Sequence, residues 1–327
     1  MKGNTVDRAP IFPQIGDHAG IINGLSFDIM YRDAKKAADA HLKALKLYGY
    51  DITTIQVEPS WPVSESCGAS VNYPPDKNPW ITKFPIEDKN SLEKLEIPDF
   101  MKCRSTRVMI KGTNFLAKKA NVPIVAYMTG PITFSFQLMP YELLIPTMVK
   151  DPEFTHLLVK KSIEIIKEYI KLLKEAGASI LVLCEHDYQL LKPQQVEEFS
   201  LSCIEELLDI YDFNILHICG KVSTHLHHLG NIMKEIKNLD MVSIDSFVSI
   251  REARDLLENK IGIAGNIDHV RLLPYGSPKE IKKTVFRALR ENRSNPRFMI
   301  APGCEITADT PIENVKALVI ATKTFKE

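Results

Sequence analysis

The strongest constraint on the fold is an alternation that runs the length of the chain: short apolar runs separated by long amphipathic ones. The apolar runs fall at residues 10–17, 51–58, 122–130, 179–185, 214–219, 239–246, 261–268 and 297–305. Within runs such as Ile180-Leu181-Val182-Leu183 the apolarity is near-continuous, whereas a half-exposed strand would alternate; this is the pattern of parallel strands buried on both faces. The intervening spacing predicts helices over 32–48, 104–119, 152–176, 193–211, 222–237, 249–258, 277–292 and 311–325. In 152–176, Pro152 suits a first helical position, and Phe154, Leu157, Leu158, Ile165, Ile166 and Tyr169 recur at helical spacing. Eight strands, each followed by a helix, predict an α/β fold, the (β/α)8 TIM barrel, as one domain over 1–327. Pro10 and Pro13 weaken the first run as a strand.

Residues 59–103 stand outside the repeat. They are proline-rich and hold both tryptophans, Trp61 and Trp80, and are expected to form an insertion after strand 2 that covers the barrel mouth. Composition excludes several classes of function. With 41 basic and 41 acidic residues there is no electrostatic case for nucleic acid or an anionic membrane as partner. The first residues lack the apolar core of a signal peptide, and no run approaches a membrane span. Six scattered cysteines do not form a disulfide framework, which points to a reducing cytoplasm and to metal-binding or packing roles.

In a barrel the chemistry sits at the C-terminal ends of the strands. Those ends carry Asp17, Glu58, Thr129, Cys184-Glu185-His186-Asp187, His217 with Cys219, Asp245, Asn266, Asp268, and Cys304 with Glu305. Scattered along a sequence these residues mean little; on one rim they make a polar pocket. His217, Cys219 and Cys304 have two readings. One is a satisfied strand histidine and two small buried hydrophobes. The other is three nitrogen and sulfur donors, the set that zinc favours in a catalytic site with one position left open.

The strand-end motifs carry a resemblance. Leu216-His217-Ile218-Cys219-Gly220, Ser243-Ile244-Asp245, Gly265-Asn266-Ile267-Asp268, Gly303-Cys304 and Thr310-Pro311-Ile312-Glu313-Asn314 resemble the methylcobamide methyltransferases of the uroporphyrinogen decarboxylase superfamily. Val6-Asp7-Arg8-Ala9-Pro10, Thr129-Gly130-Pro131-Ile132-Thr133-Phe134 and Asp151-Pro152-Glu153 extend the similarity over nearly the whole chain. The resemblance implies a TIM barrel in which His217, Cys219 and Cys304 bind zinc. It also implies methyl transfer between a corrinoid and a small molecule, most simply from methylcobamide to a thiol of the coenzyme M kind. Zinc coordination deprotonates a thiol that is mostly protonated at neutral pH. No Asp-x-His-x-x-Gly cobalamin pattern occurs, so the corrinoid is expected on a partner protein.

Glu58 and Glu185 are the candidate catalytic carboxylates, Glu185 also as a fourth zinc ligand that substrate displaces. Asp17, His186, Asp245 and Asn266 are candidate substrate contacts. The strand-4 turn, Cys184-Glu185-His186-Asp187, departs from the coenzyme M pattern. That leaves a second direction open, from a methyl donor to the corrinoid, with zinc as a Lewis acid. Porphyrinogen decarboxylation is the remote alternative. The decarboxylases carry an Arg-Gln-Ala-Gly-Arg segment after strand 1, and Gln14-Ile15-Gly16-Asp17-His18-Ala19-Gly20 here has no arginine.

Overall fold

Burial on both faces turns the apolar runs into parallel strands. The computed structural model describes residues 7–55, 60–293 and 295–326. Among these, strands β1 (Thr53–Thr54), β4 (Ile124–Thr129), β5 (Ile180–Glu185), β6 (Asn214–Ile218), β7 (Met241–Ile244), β8 (Gly262–Ile267) and β9 (Phe298–Pro302) pair in that order. They form one curled, all-parallel, seven-stranded sheet. One face of each strand meets its counterparts inside the curl, where Val125, Tyr127, Val182, Ile215, Met241 and Met299 pack together. The other face, with Leu181, Leu183, Leu216, Val242 and Ile263, packs with the helices in a second, larger cluster.

The expected eighth strand, 10–17, is reduced to a bridge. Ile11 pairs in parallel with Ile300; the Phe12 N–H donates to the Ile300 carbonyl at 3.0 Å and the Ile300 N–H to the Pro10 carbonyl at 2.9 Å. The Asp51 N–H donates to the Ile11 carbonyl at 3.1 Å, so this short segment links β9 to the chain entering β1. Pro10 and Pro13 have no N–H to extend the ladder. Arg8 fixes the segment by donating to both Asp51 carboxylate oxygens at 2.7 Å.

The helix layer follows the expected spacing, with one break. Helix Pro152–Glu175 starts where Asp151 Oδ1 accepts from the Phe154 N–H at 3.1 Å. The run 193–211 is interrupted: Pro193–Phe199 is α-helical, Leu201–Cys203 forms a 3-10 turn and Glu205–Leu208 a last helical turn. The break falls at Ser200, whose side chain reaches β5. Residues 60–103 hold helix Ser60–Ser66, the antiparallel pair β2 (Ser70–Asn72) and β3 (Trp80–Lys83), and helix Lys89–Glu93. Their Val63, Ile86 and Phe100 join the larger core. Among the described residues no helix is long and apolar enough to cross a membrane.

Helix Ala34–Tyr48 buries His41, and that burial lowers its pKa from 6.5 to about 4, with the Ile55 backbone acting in the opposite direction. The unfolded chain therefore takes up this proton at higher pH than the folded protein does. Stability from neutral His41 is present above pH 6.5 and is lost as pH falls through about 4. His41→Leu should abolish this acid-side loss, which is on the order of 3 kcal/mol at full protonation. Urea titrations of both proteins across that range test it; parallel stability curves would rule it out.

Candidate metal centre

Two adjacent strands place the first two donors. β5 and β6 run in register with Cys184 opposite His217, and Cys184 lies in the cluster inside the curl. Cys219 comes directly after β6. There Gly220 turns the chain with φ 84°, and its N–H donates to Asp245 Oδ2 at 2.9 Å. Cys304 follows β9 through Gly303, where a Cβ would lie 2.6 Å from the Ser246 backbone nitrogen. The Nε2 of His217 is 2.9 Å from Cys219 Sγ, and Cys219 Sγ is 3.3 Å from Cys304 Sγ. The donor atoms of Cys184, His217 and Cys219 all lie within 4.8 Å of one another. His186 Nδ1 is 3.4 Å from Cys184 Sγ and 3.6 Å from Cys219 Sγ. His217 and Cys184 are buried, whereas Cys219 and Cys304 are partly exposed.

The electrostatics suit a cation. Burial, reinforced by His186 and His269, lowers the His217 pKa to about 3, so the imidazole is neutral. Its Nδ1 is 2.9 Å from Ser243 Oγ; in the tautomer that donates there, the Nε2 lone pair faces Cys219. The Cys219 thiol is pushed up to about 12 by its hydrogen bond with Cys184 and by burial, against the opposing influence of Cys304. The hydrogen bond with Cys219, then burial, raises Cys304 well above the ordinary thiol range. Cys184 makes ionisation of Cys219 harder, and Cys219 does the same to Cys304. A cation at their centre is what can hold more than one as thiolate near neutral pH.

If His217 holds a metal ion, removing the Ser243 hydroxyl should lower the affinity for zinc by about tenfold without changing stoichiometry at saturation, because the hydroxyl orients the imidazole without being a donor. Competition of Ser243→Ala and the unaltered protein against a chelator checks this; equal affinities would sink it.

The other expected residues divide. His186 is brought to the sulfur cluster. Glu185 is not: strand alternation turns it to the helix side, fully buried. There it accepts from the Thr133 N–H at 2.9 Å, the Ile132 N–H at 3.3 Å and the Ser200 hydroxyl at 2.7 Å. Asp245 holds the Gly220 N–H and the Ser246 hydroxyl, and the Asn266 amide donates to the Asp245 and Val248 carbonyls, so both fix strand-end turns. Asp17 is buried; its Oδ2 accepts from the Tyr31 hydroxyl at 3.3 Å and its N–H donates to Glu305 Oε1 at 3.0 Å. Burial raises the Asp17 carboxyl to about 7. Glu58 lies outside the described residues.

Two neighbours of the cluster have a role that no motif assigns. Ser243 is an ordinary strand residue until the register places it beside His217. Tyr127, on β4, donates its hydroxyl to Gln14 Oε1 at 3.3 Å, and its own pKa is raised by burial and by Cys184, Cys304 and Cys219. The signal that could have found both is inward phase: Tyr127 falls on the same side of its strand as Val125.

Against this geometry, comparison with known proteins places the chain. The family model described as uroporphyrinogen decarboxylase (URO-D) matches residues 1–325. The chain belongs to the URO-D family. Its URO-D relatives carry two kinds of name. The chain is 24% identical over 267 residues to the methylcobamide:CoM methyltransferase MtaA of Methanosarcina barkeri, covering 79% of this chain and 76% of that protein. It is 26% identical over 301 residues to the methylated-thiol–coenzyme M methyltransferase of Methanosarcina mazei, covering 89% and 77%. A uroporphyrinogen decarboxylase of Thermodesulfovibrio yellowstonii is 24% identical over 307 residues, covering 92% and 87%. Among solved structures, a methyltransferase from Methanosarcina mazei superposes with a TM-score of 0.88 at 22% identity, covering 98% of this chain and 95% of the other. That likeness is one of fold.

Proposed function

We propose that this URO-D family protein is a zinc-dependent methyltransferase that moves a methyl group between a corrinoid protein and a small molecule, in the direction from methylcobamide to a thiol of the coenzyme M kind. The carrying observation is the convergence of His217, Cys219 and Cys304 at the ends of β6 and β9. One neutral imidazole and two thiols at these separations match the nitrogen and sulfur preference of zinc. His217, Cys219 and Cys304 are the ligands in this reading. Bound zinc would supply the chemistry the pocket lacks by itself, holding a substrate thiol as a nucleophilic thiolate.

The protein's own groups have separate tasks. Ser243 fixes the His217 ring, and Asp245 fixes the turn that aims Cys219. His186 lies beside two of the sulfurs, where it can accept a hydrogen bond from an incoming thiol. The names of the methylcobamide:CoM and methylated-thiol relatives support a corrinoid and a thiol as the reaction partners. The corrinoid arrives on a separate protein at the strand-end rim, with 59–103 covering part of the mouth of a single (β/α)8 domain in the cytoplasm.

Porphyrinogen decarboxylation fits less well, although some relatives bear that name. The segment Gln14–Gly20 has no arginine to grip a polyanion, and instead gathers the carboxyl groups of Asp17 and Glu305. The experiment is a pair of assays on zinc-loaded protein: methylcobalamin with a panel of small thiols, and uroporphyrinogen. Thiol methylation without carboxylate loss supports the proposal; stepwise decarboxylation without methyl transfer overturns it.

A further inference from the structure

The proposed ligand set leaves open what completes the coordination shell when no substrate is bound. Sequence pattern alone points to a carboxylate, Glu185, at the end of β5. The structure turns that residue away from the cluster and presents the one before it. Cys184 is paired with His217 across β5 and β6, on the inner face of the sheet. Its Sγ and the donor atoms of His217 and Cys219 lie within 4.8 Å of one another. In a tetrahedral zinc site with Zn–S near 2.3 Å and Zn–N near 2.0 Å, donors sit about 3.4–3.8 Å apart. The donors of Cys184, His217 and Cys219 are therefore within a small adjustment of one shell, and Cys304 joins them through its sulfur, 3.3 Å from that of Cys219.

From this we infer that Cys184 is a third thiolate ligand, so that the resting site is Cys184, His217, Cys219 and Cys304. The inference rests on the zinc reading above and adds a residue to it. Burial gives the four ligands different standing. Cys184 lies fully buried at the floor, in contact with Val182 and the other residues inside the curl, while Cys219 and Cys304 are partly exposed. The metal is thus held from below by Cys184 and remains approachable from the mouth. A substrate thiol arriving from the mouth would meet the metal on the side of Cys219 and Cys304, opposite Cys184, as an added donor. Tyr127 shares the inner cluster with Cys184.

The test counts sulfur atoms around the metal, independently of activity. X-ray absorption of the zinc-loaded wild-type protein should require three sulfurs and one nitrogen. In the cobalt(II)-substituted protein, Cys184→Ser should lower the thiolate-to-metal charge-transfer absorbance per bound metal by about one third, since three thiolates become two. Zinc affinity should fall by at least about tenfold. Two sulfurs in the wild type, or unchanged absorbance in the variant, overturn the inference. The wild-type count decides the matter even if the variant does not fold. A protein that takes up no zinc overturns both this inference and the function proposed above. A three-sulfur site with no methyl transfer leaves Cys184 a ligand and sinks only the activity.

Discussion

Cys304→Ala should lose most of its bound zinc, and thiol methylation should fall by about a thousandfold or more, while the protein stays folded. Cys304 lies just after β9, far in sequence from His217 and Cys219, and its sulfur is 3.3 Å from that of Cys219. Its loss opens the shell on the exposed side and leaves the Cys219 thiol, which burial and Cys184 hold in the protonated form, without the hydrogen bond that favours its thiolate. An enzyme whose nucleophile depends on metal coordination loses both affinity and rate together. The fold should not follow. Cys304 contributes no β-ladder hydrogen bond, and a chain of this size buries a core that needs no metal staple. Metal content after exhaustive dialysis and a thermal melt check the two halves separately. Retention of a full equivalent of zinc removes Cys304 from the ligand set, and a collapsed melt shows that the metal is structural.

Where sequence reading succeeded and where it stopped follow from one geometric fact. Near-continuous apolar runs identify a strand buried on both faces, because both faces leave the same trace. For the same reason they do not reveal which residue faces inward. Cys184 and Glu185 are adjacent, and at the sequence level Glu185 is the better fourth ligand. A strand reverses side at every residue, so the phase set by pairing Cys184 with His217 exchanges their roles. The roles of Tyr127 and Ser243 were illegible for the same reason: Ser243 stands in the Ser243-Ile244-Asp245 motif, but only register brings it beside His217. The His217-Ile218-Cys219 and Gly303-Cys304 segments stood out because donor residue types and glycine turns are local features. The broken run at 193–211 did not, because its apolar spacing is helical while the interruption falls at Ser200, whose hydroxyl bonds a carboxylate on another element. The first strand was half legible, since its prolines are visible but the bridge from Ile11 to Ile300 is a long-range contact.

Glu185→Ala should destabilise the protein by roughly 2–4 kcal/mol and leave zinc stoichiometry unchanged in the folded fraction. The buried carboxylate accepts from the N–H groups of Ile132 and Thr133 at the start of helix Pro131–Leu138. Gly130, at the head of that helix, has no side chain to cap it, so Glu185 does so from β5. It also accepts from the Ser200 hydroxyl, which joins the helix break to the sheet. Alanine would strand three donors away from water. Burial raises the Glu185 pKa from 4.5 to about 7, against the hydrogen bonds from Ser200 and Thr133. The folded protein thus holds this proton where the unfolded chain has released it. The stability it contributes is fully present below pH 4.5 and is lost as pH rises through about 7, on the order of 3 kcal/mol in all. That trend opposes the one from His41, so the two mask each other in the wild type between about pH 4.5 and 6.5. Glu185→Gln keeps an acceptor and removes the titration. It should therefore be closer to wild type than Glu185→Ala, and gain relative to wild type as pH rises from 5 to 8. Urea titrations of the three proteins at those two pH values, with zinc measured on each, decide between a cap and a ligand. Loss of zinc from Glu185→Gln at unchanged stability would return the carboxylate to the metal.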